Sequence, residues 1–77
     1  MEERILQILQ EIHPGIDYAG SMDFIEDELL DSFDVIELVS CIEETFKVSI
    51  DGLEILPENF QNIEKIAETI KRNGGAE

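Results

Sequence analysis

The chain has no tryptophan, one tyrosine, one histidine, one cysteine and only five lysines and arginines among its 77 residues. Each shortage excludes something. A lone cysteine, Cys41, cannot build an internal disulfide framework. With His13 as the only histidine, a His/Cys metal cluster is excluded as well. Five basic residues against nineteen acidic ones leave a net charge of −14. That field repels DNA, RNA and anionic lipid, so no nucleic-acid partner and no membrane insertion are expected. No apolar run approaches membrane-spanning length. The amphipathic start, MEERILQILQ, has no apolar signal core. These features read as a soluble, cytoplasmic protein. At this length the chain makes one small domain, residues 1–77, with too little buried surface for a deep multi-layer enzyme core. A hydrophobic fraction of 43% still suffices for folding.

What is present is unevenly spread. No lysine or arginine stands between Arg4 and Lys47, and eleven acids do; nine of them fall between Asp23 and Glu44. Like charges that close cost stability in a small domain. A basic surface on a partner protein is a reason to keep them.

Periodicity predicts an all-α fold. Ile5, Ile8, Leu9 and Ile12 stand at helical spacing, and Pro14 and Gly15 end that helix, with His13 in its last turn. His13 is expected to serve the helix dipole, because no motif sets an acid or nucleophile beside it. Residues 14–30 carry no sustained period. They are still too apolar for a floppy linker, with Ile16, Tyr18, Met22, Phe24, Ile25, Leu29 and Leu30, so an ordered strap with one short helical turn is expected. The clearest element is Asp31 to Lys47: Asp31 is a good N-cap with Asp34 three residues on, and Val35, Leu38, Val39, Ile42 and Phe46 form one core stripe. Phe33 and Ile36 fall outside that stripe, touch each other at i, i+3 spacing, and border the acids Glu37, Glu43 and Glu44. They are expected to be a docking patch. A short helical turn around residues 52–56, stopped by Pro57, and a last helix from Ile63 to Asn73, capped by Asn62, complete a small bundle of three main helices plus one minor one.

Chemical motifs are few. The window from Asp23 to Asp34 sets carboxylates at positions 1, 5, 9 and 12 of a calcium loop, but Ile25 and Glu28 occupy positions that need an oxygen ligand and a glycine. No metal site is therefore assigned. Cys41, inside the main helix, reads as a partly buried small side chain. Ser32 reads as an exposed residue at the first position of the main helix, where the dipole favours a phosphate ester.

The run Glu26-Asp27-Glu28-Leu29-Leu30-Asp31-Ser32-Phe33-Asp34-Val35-Ile36-Glu37-Leu38-Val39 resembles the signature of acyl carrier proteins, which carry Asp-Ser-Leu between an acidic strap and a helix rich in Val, Glu and Leu. Ile42-Glu43-Glu44-Thr45-Phe46 and Asn59-Phe60-Gln61-Asn62-Ile63-Glu64-Lys65-Ile66 are similar to later parts of that family, so the resemblance covers nearly the whole chain. It implies an acyl-carrier-like helical bundle that is not itself an enzyme. Ser32 would receive 4′-phosphopantetheine from coenzyme A through a holo-synthase, a phosphopantetheinyl transferase, with Mg²⁺ steadying the diphosphate. The arm would hold acyl or aminoacyl cargo as a thioester. Asp31, Phe33, Asp34, Ile36, Glu37, Glu43 and Glu44 match the surface read by partners: the transferase, a cargo-loading ligase or acyltransferase, and downstream synthases with basic patches. Phe33 stands where the family most often has Leu, and Leu29-Leu30-Asp31-Ser32 and Glu58-Asn59-Phe60 also resemble freestanding D-alanyl, aminoacyl and specialised-pathway carriers. A monomer is expected. The alternatives are an unmodified acidic adaptor with the same fold and a weak divalent-cation-binding module.

Overall fold

The computed structural model describes residues 1–75. The final two positions of the expected 1–77 domain lie outside that range. Three helices carry the fold: α1 (Glu2–Ile12), α2 (Ser32–Phe46) and α3 (Ile63–Arg72). Among the described residues there is no strand, so the fold is all-α as expected, a small acyl-carrier-like bundle. Nor is any described helix long and apolar enough to cross a membrane.

The core follows the hydrophobic periods. α1 packs on both α2 and α3. It buries Ile5, Ile8 and Leu9, α2 buries Val35, Leu38, Val39, Ile42 and Phe46, and α3 buries Ile66, Ala67 and Ile70. Thr69 is fully buried too, which hydropathy did not foretell. Its hydroxyl donates to the Lys65 carbonyl at 2.9 Å, and that bond removes most of the penalty for burying it. α1 stops at Ile12 because the residue before a proline is pushed out of helical geometry, and His13 adopts φ −134°, ψ 88°. His13 is therefore the C-cap of α1 rather than part of its last turn.

Residues 14–30 form the ordered strap that their apolar content requires. Tyr18 opens a short 3₁₀ turn (Tyr18–Gly20). Its hydroxyl donates to the carbonyl of Leu9 at 3.1 Å, tying the strap to the end of α1. Phe24 meets the Tyr18 ring edge to face, with centroids 5.3 Å apart. The Phe24 carbonyl accepts from the N–H groups of Leu29 and Leu30, and Leu30 is buried. The strap thus delivers the chain to α2 at a fixed place.

The link from α2 to α3 departs from expectation. Two 3₁₀ turns, Gly52–Glu54 and Pro57–Phe60, stand where one short helix was predicted. Pro57 begins the second turn instead of stopping the first, because a first-turn position needs no backbone N–H. Phe60 is buried, whereas the turn at Gly52–Glu54 buries nothing. After α3 the chain needs glycine: Gly74 has φ +91°, and a Cβ on Gly75 would overlap the Ile70 side chain.

Candidate attachment site

The site is built at the head of α2. Asp31 is extended, and its Oδ1 accepts from the N–H of Asp34 at 2.8 Å. Asp34 Oδ2 accepts in return from the N–H of Asp31 at 3.2 Å, completing the capping box suggested by their spacing. The box fixes the first turn on both sides of Ser32. Ser32 itself is exposed, and its hydroxyl has no hydrogen-bond partner among the described residues.

Tertiary structure adds a contact to this box. His13 Nε2 lies 2.9 Å from Asp34 Oδ2, so the acid partner that no local motif indicated arrives from another helix. Burial pushes the Asp34 carboxyl up, but the hydrogen bonds from His13 and from the Asp31 N–H outweigh it and hold the group below its ordinary value. Burial, and then the charge of Asp34, push the Tyr18 phenol up. Asp34 is thus half-buried and occupied within the chain.

Beside Ser32 lies a cleft of about 330 Å³. Ile25 of the strap, Val35 and Ile36 of α2, and Ile55 and Pro57 of the following link line it together with the serine. All its side chains but one are hydrocarbon, and the one polar group is the free hydroxyl at its edge. The sequence marks Ile25 only as a strap residue and Pro57 only as a helix stop, and it marks none of Ile25, Ile55 and Pro57 as a site residue. They reach the cleft from segments without helical period, so no spacing marked them.

The expected docking residues divide into two groups. Phe33 and Ile36 are 77% and 65% exposed, and neither is covered by the strap. Glu37 and Glu44 are exposed on the same helix. Glu43 is instead half-buried, its Oε2 accepting from the N–H of Ile50 at 2.9 Å. It fastens the chain that leaves α2. The carboxylates of Asp31 and Asp34 are likewise engaged, in the cap. Cys41 is partly buried, and burial followed by the charges of Glu37, Glu11 and Glu44 pushes its thiol up, away from nucleophilic use.

A family model described as a phosphopantetheine attachment site matches residues 3–70. The chain belongs to this carrier family. The match runs from α1 to the core residue Ile70 and includes every residue of the cleft. Carriers of this family are defined by covalently attached 4′-phosphopantetheine, so the cofactor of this carrier is that arm. Neither curated proteins nor solved structures match the chain.

Proposed function

We propose that this carrier holds acyl or aminoacyl intermediates on a 4′-phosphopantetheine arm attached to Ser32, and that residues 1–77 act as one monomeric, cytoplasmic carrier domain. The observation that carries the reading is the free Ser32 hydroxyl, exposed at the head of a locked helix and at the edge of an apolar cleft. The other serines offer less. The Ser21 hydroxyl donates to Asp27, Ser40 lies in the middle of α2, and Ser49 lies in the link beyond it.

The residues fit the arm. A phosphodiester on Ser32 would face the positive end of a 15-residue helix, which favours the added negative charge. In the attachment reaction the partner transferase removes the hydroxyl proton. Ser32 Oγ then attacks the β-phosphate of coenzyme A, an Oγ–P bond forms, the diphosphate bond breaks, and 3′,5′-adenosine bisphosphate leaves with the electron pair. When bound, the arm supplies a terminal thiol that carries cargo as a thioester. The chain's own residues contribute a rigid attachment point, the cleft and a surface for partners. In this reading the chain is the substrate of other enzymes and performs no catalysis.

The partner surface in this reading is centred on Phe33, Ile36, Glu37 and Glu44. An exposed apolar pair rimmed by carboxylates suits partners with an apolar pocket and a basic rim. These partners are the phosphopantetheinyl transferase, a loading ligase or acyltransferase, and downstream synthases. Asp31, Asp34 and Glu43 shape that surface by holding the two ends of α2.

The test is intact mass after co-expression with a phosphopantetheinyl transferase, followed by peptide mapping. An increase of about 340 Da located on Ser32 is expected. The same adduct on Ser21, Ser40 or Ser49 overturns the assignment.

A further inference from the structure

The two sides of the cleft are held by different means. Val35 and Ile36 belong to α2, whose buried stripe anchors that wall in the core. The opposite wall, Ile55 and Pro57, is anchored in the core only at its far end, by Phe60 of the Pro57–Phe60 turn; Ile55 is half-buried at the edge of the core and Pro57 is exposed. The neighbouring turn Gly52–Glu54 buries no residue, and Leu53 is 83% exposed. Polar contacts to the far end of α3 supplement that packing. Arg72 Nε donates to Glu54 Oε1 at 2.9 Å, and its second guanidinium nitrogen donates to Asn59 Oδ1 at 3.3 Å and to Thr69 Oγ1 at 3.2 Å. Asn59 Nδ2 donates to the Glu54 carbonyl at 2.6 Å. The Asp51 N–H donates to Asn73 Oδ1 at 2.9 Å, which pins the start of the same segment.

One guanidinium therefore grips both flanks of the wall: Glu54 lies immediately before Ile55, and Asn59 lies two residues after Pro57. Arginine suits this work because its planar fork addresses several acceptors at once. We infer that Arg72 is a positioning residue for the cleft, setting the distance of the Ile55–Pro57 wall from α2 and hence how well apolar cargo carried at Ser32 is sheltered. The inference rests on Ser32 as the attachment point. Removing the grip loosens both flanks of the wall while Phe60 and the helix stripes stay buried, so the cleft opens more readily in a bundle that stays folded.

Two measurements on Arg72→Gln, Arg72→Lys and Lys71→Gln decide the matter. The first is amide hydrogen exchange on the apo protein. Arg72→Gln is expected to raise exchange at Ile55 and Leu56 about tenfold while Ile42 and Ile66 keep their wild-type rates. Arg72→Lys, which can still reach one carboxylate, is expected to fall between. Lys71→Gln removes the same charge one residue away and is expected to leave the segment unchanged. The second compares hydroxylamine cleavage of octanoyl and acetyl thioesters on the loaded carrier. The wild type is expected to protect octanoyl over acetyl several-fold, and Arg72→Gln to abolish that preference. Unchanged exchange at Ile55 and Leu56 overturns the inference, as does a rise that Ile42 and Ile66 share or that Lys71→Gln reproduces. A freed wall with octanoyl protection intact also overturns it. Failure of Ser32 to accept an arm defeats the attachment reading instead, and the apo exchange still decides the clamp.

Discussion

His13, at the end of α1, meets Asp34, in the first turn of α2, through a 2.9 Å contact between Nε2 and Oδ2. The same oxygen accepts from the Asp31 N–H, so one carboxylate joins the close of one helix to the cap of the next.

This arrangement gives Asp34 a pH-dependent share in stability. Its carboxyl lies below its ordinary value of 3.8 in the folded chain. A depressed carboxyl stabilises the fold above its unfolded value, and the contribution fades as pH falls through the folded value. Asp34→Asn should therefore destabilise most near neutral pH, and its difference from the wild type should shrink below about pH 4. Urea unfolding of both proteins at pH 7 and pH 3 measures it. A pH-independent difference would show that ionisation of Asp34 plays no part.

Asp31→Ala removes the other half of the capping box. The expected cost is about 1 kcal/mol, typical for loss of an N-cap. Ser32→Ala should stay within about 0.5 kcal/mol of the wild type, because the position is exposed and its hydroxyl is unengaged. It should nevertheless gain no pantetheine mass. Chemical unfolding and intact mass on both variants separate the cap from the attachment point.

Ile36→Ala tests the apolar pair on α2. At 65% exposure its truncation should cost about 0.5 kcal/mol or less, against about 2–5 kcal/mol for Ile42→Ala in the core. Loading by the transferase should slow for Ile36→Ala and be normal per folded molecule for Ile42→Ala. Equal loading rates for the two would remove Ile36 from the recognition surface.

Glu37→Lys combined with Glu44→Lys should slow association with the transferase, mostly through the on-rate and most strongly at low salt. Glu43 is expected to behave differently. Because it accepts from the Ile50 N–H, Glu43→Lys should lower the unfolding midpoint while Glu37→Lys does not. Stopped-flow association at two ionic strengths, alongside thermal melts, checks both statements.

Added salt should raise the unfolding temperature. Glu43 and Glu44 stand in the last turn of α2, where the helix dipole disfavours them, and that turn contains no basic residue. The whole chain carries −14. Screening limits such repulsion to about 8 Å at physiological ionic strength. A melting temperature that is flat or falls from low to moderate salt would show the repulsion to be minor.

Much of this protein is written locally in its sequence. The stripe Val35, Leu38, Val39, Ile42 and Phe46 has a period of 3.6 residues, and such a stripe can be satisfied only by a helix with that face buried. The Asp31–Asp34 box is a contact between residues three apart, so spacing alone reveals it. Phe33 and Ile36 stand off the stripe, and the helix geometry that buries the others turns them outward. The order of three helices and the free serine at the head of α2 follow from such short-range rules, whereas the strap was legible only from the apolar content of residues 14–30.

Tertiary structure decided the rest, because the partners lie far apart along the chain. His13 and Asp34 are 21 residues apart, and Glu54 and Arg72 are 18 apart. No period relates either pair; only the docking of the helices brings them together. The same holds for the cleft, whose walls come from the strap, from α2 and from a pair of 3₁₀ turns. Residue type showed that Glu43 was an acid on an acidic helix. Only the path of the chain beyond Lys47, in the left-handed conformation at φ +56°, turned the Ile50 N–H onto that carboxylate and made it a fastener. Local sequence sets which face of each element is apolar, and the long-range fold determines which polar groups meet.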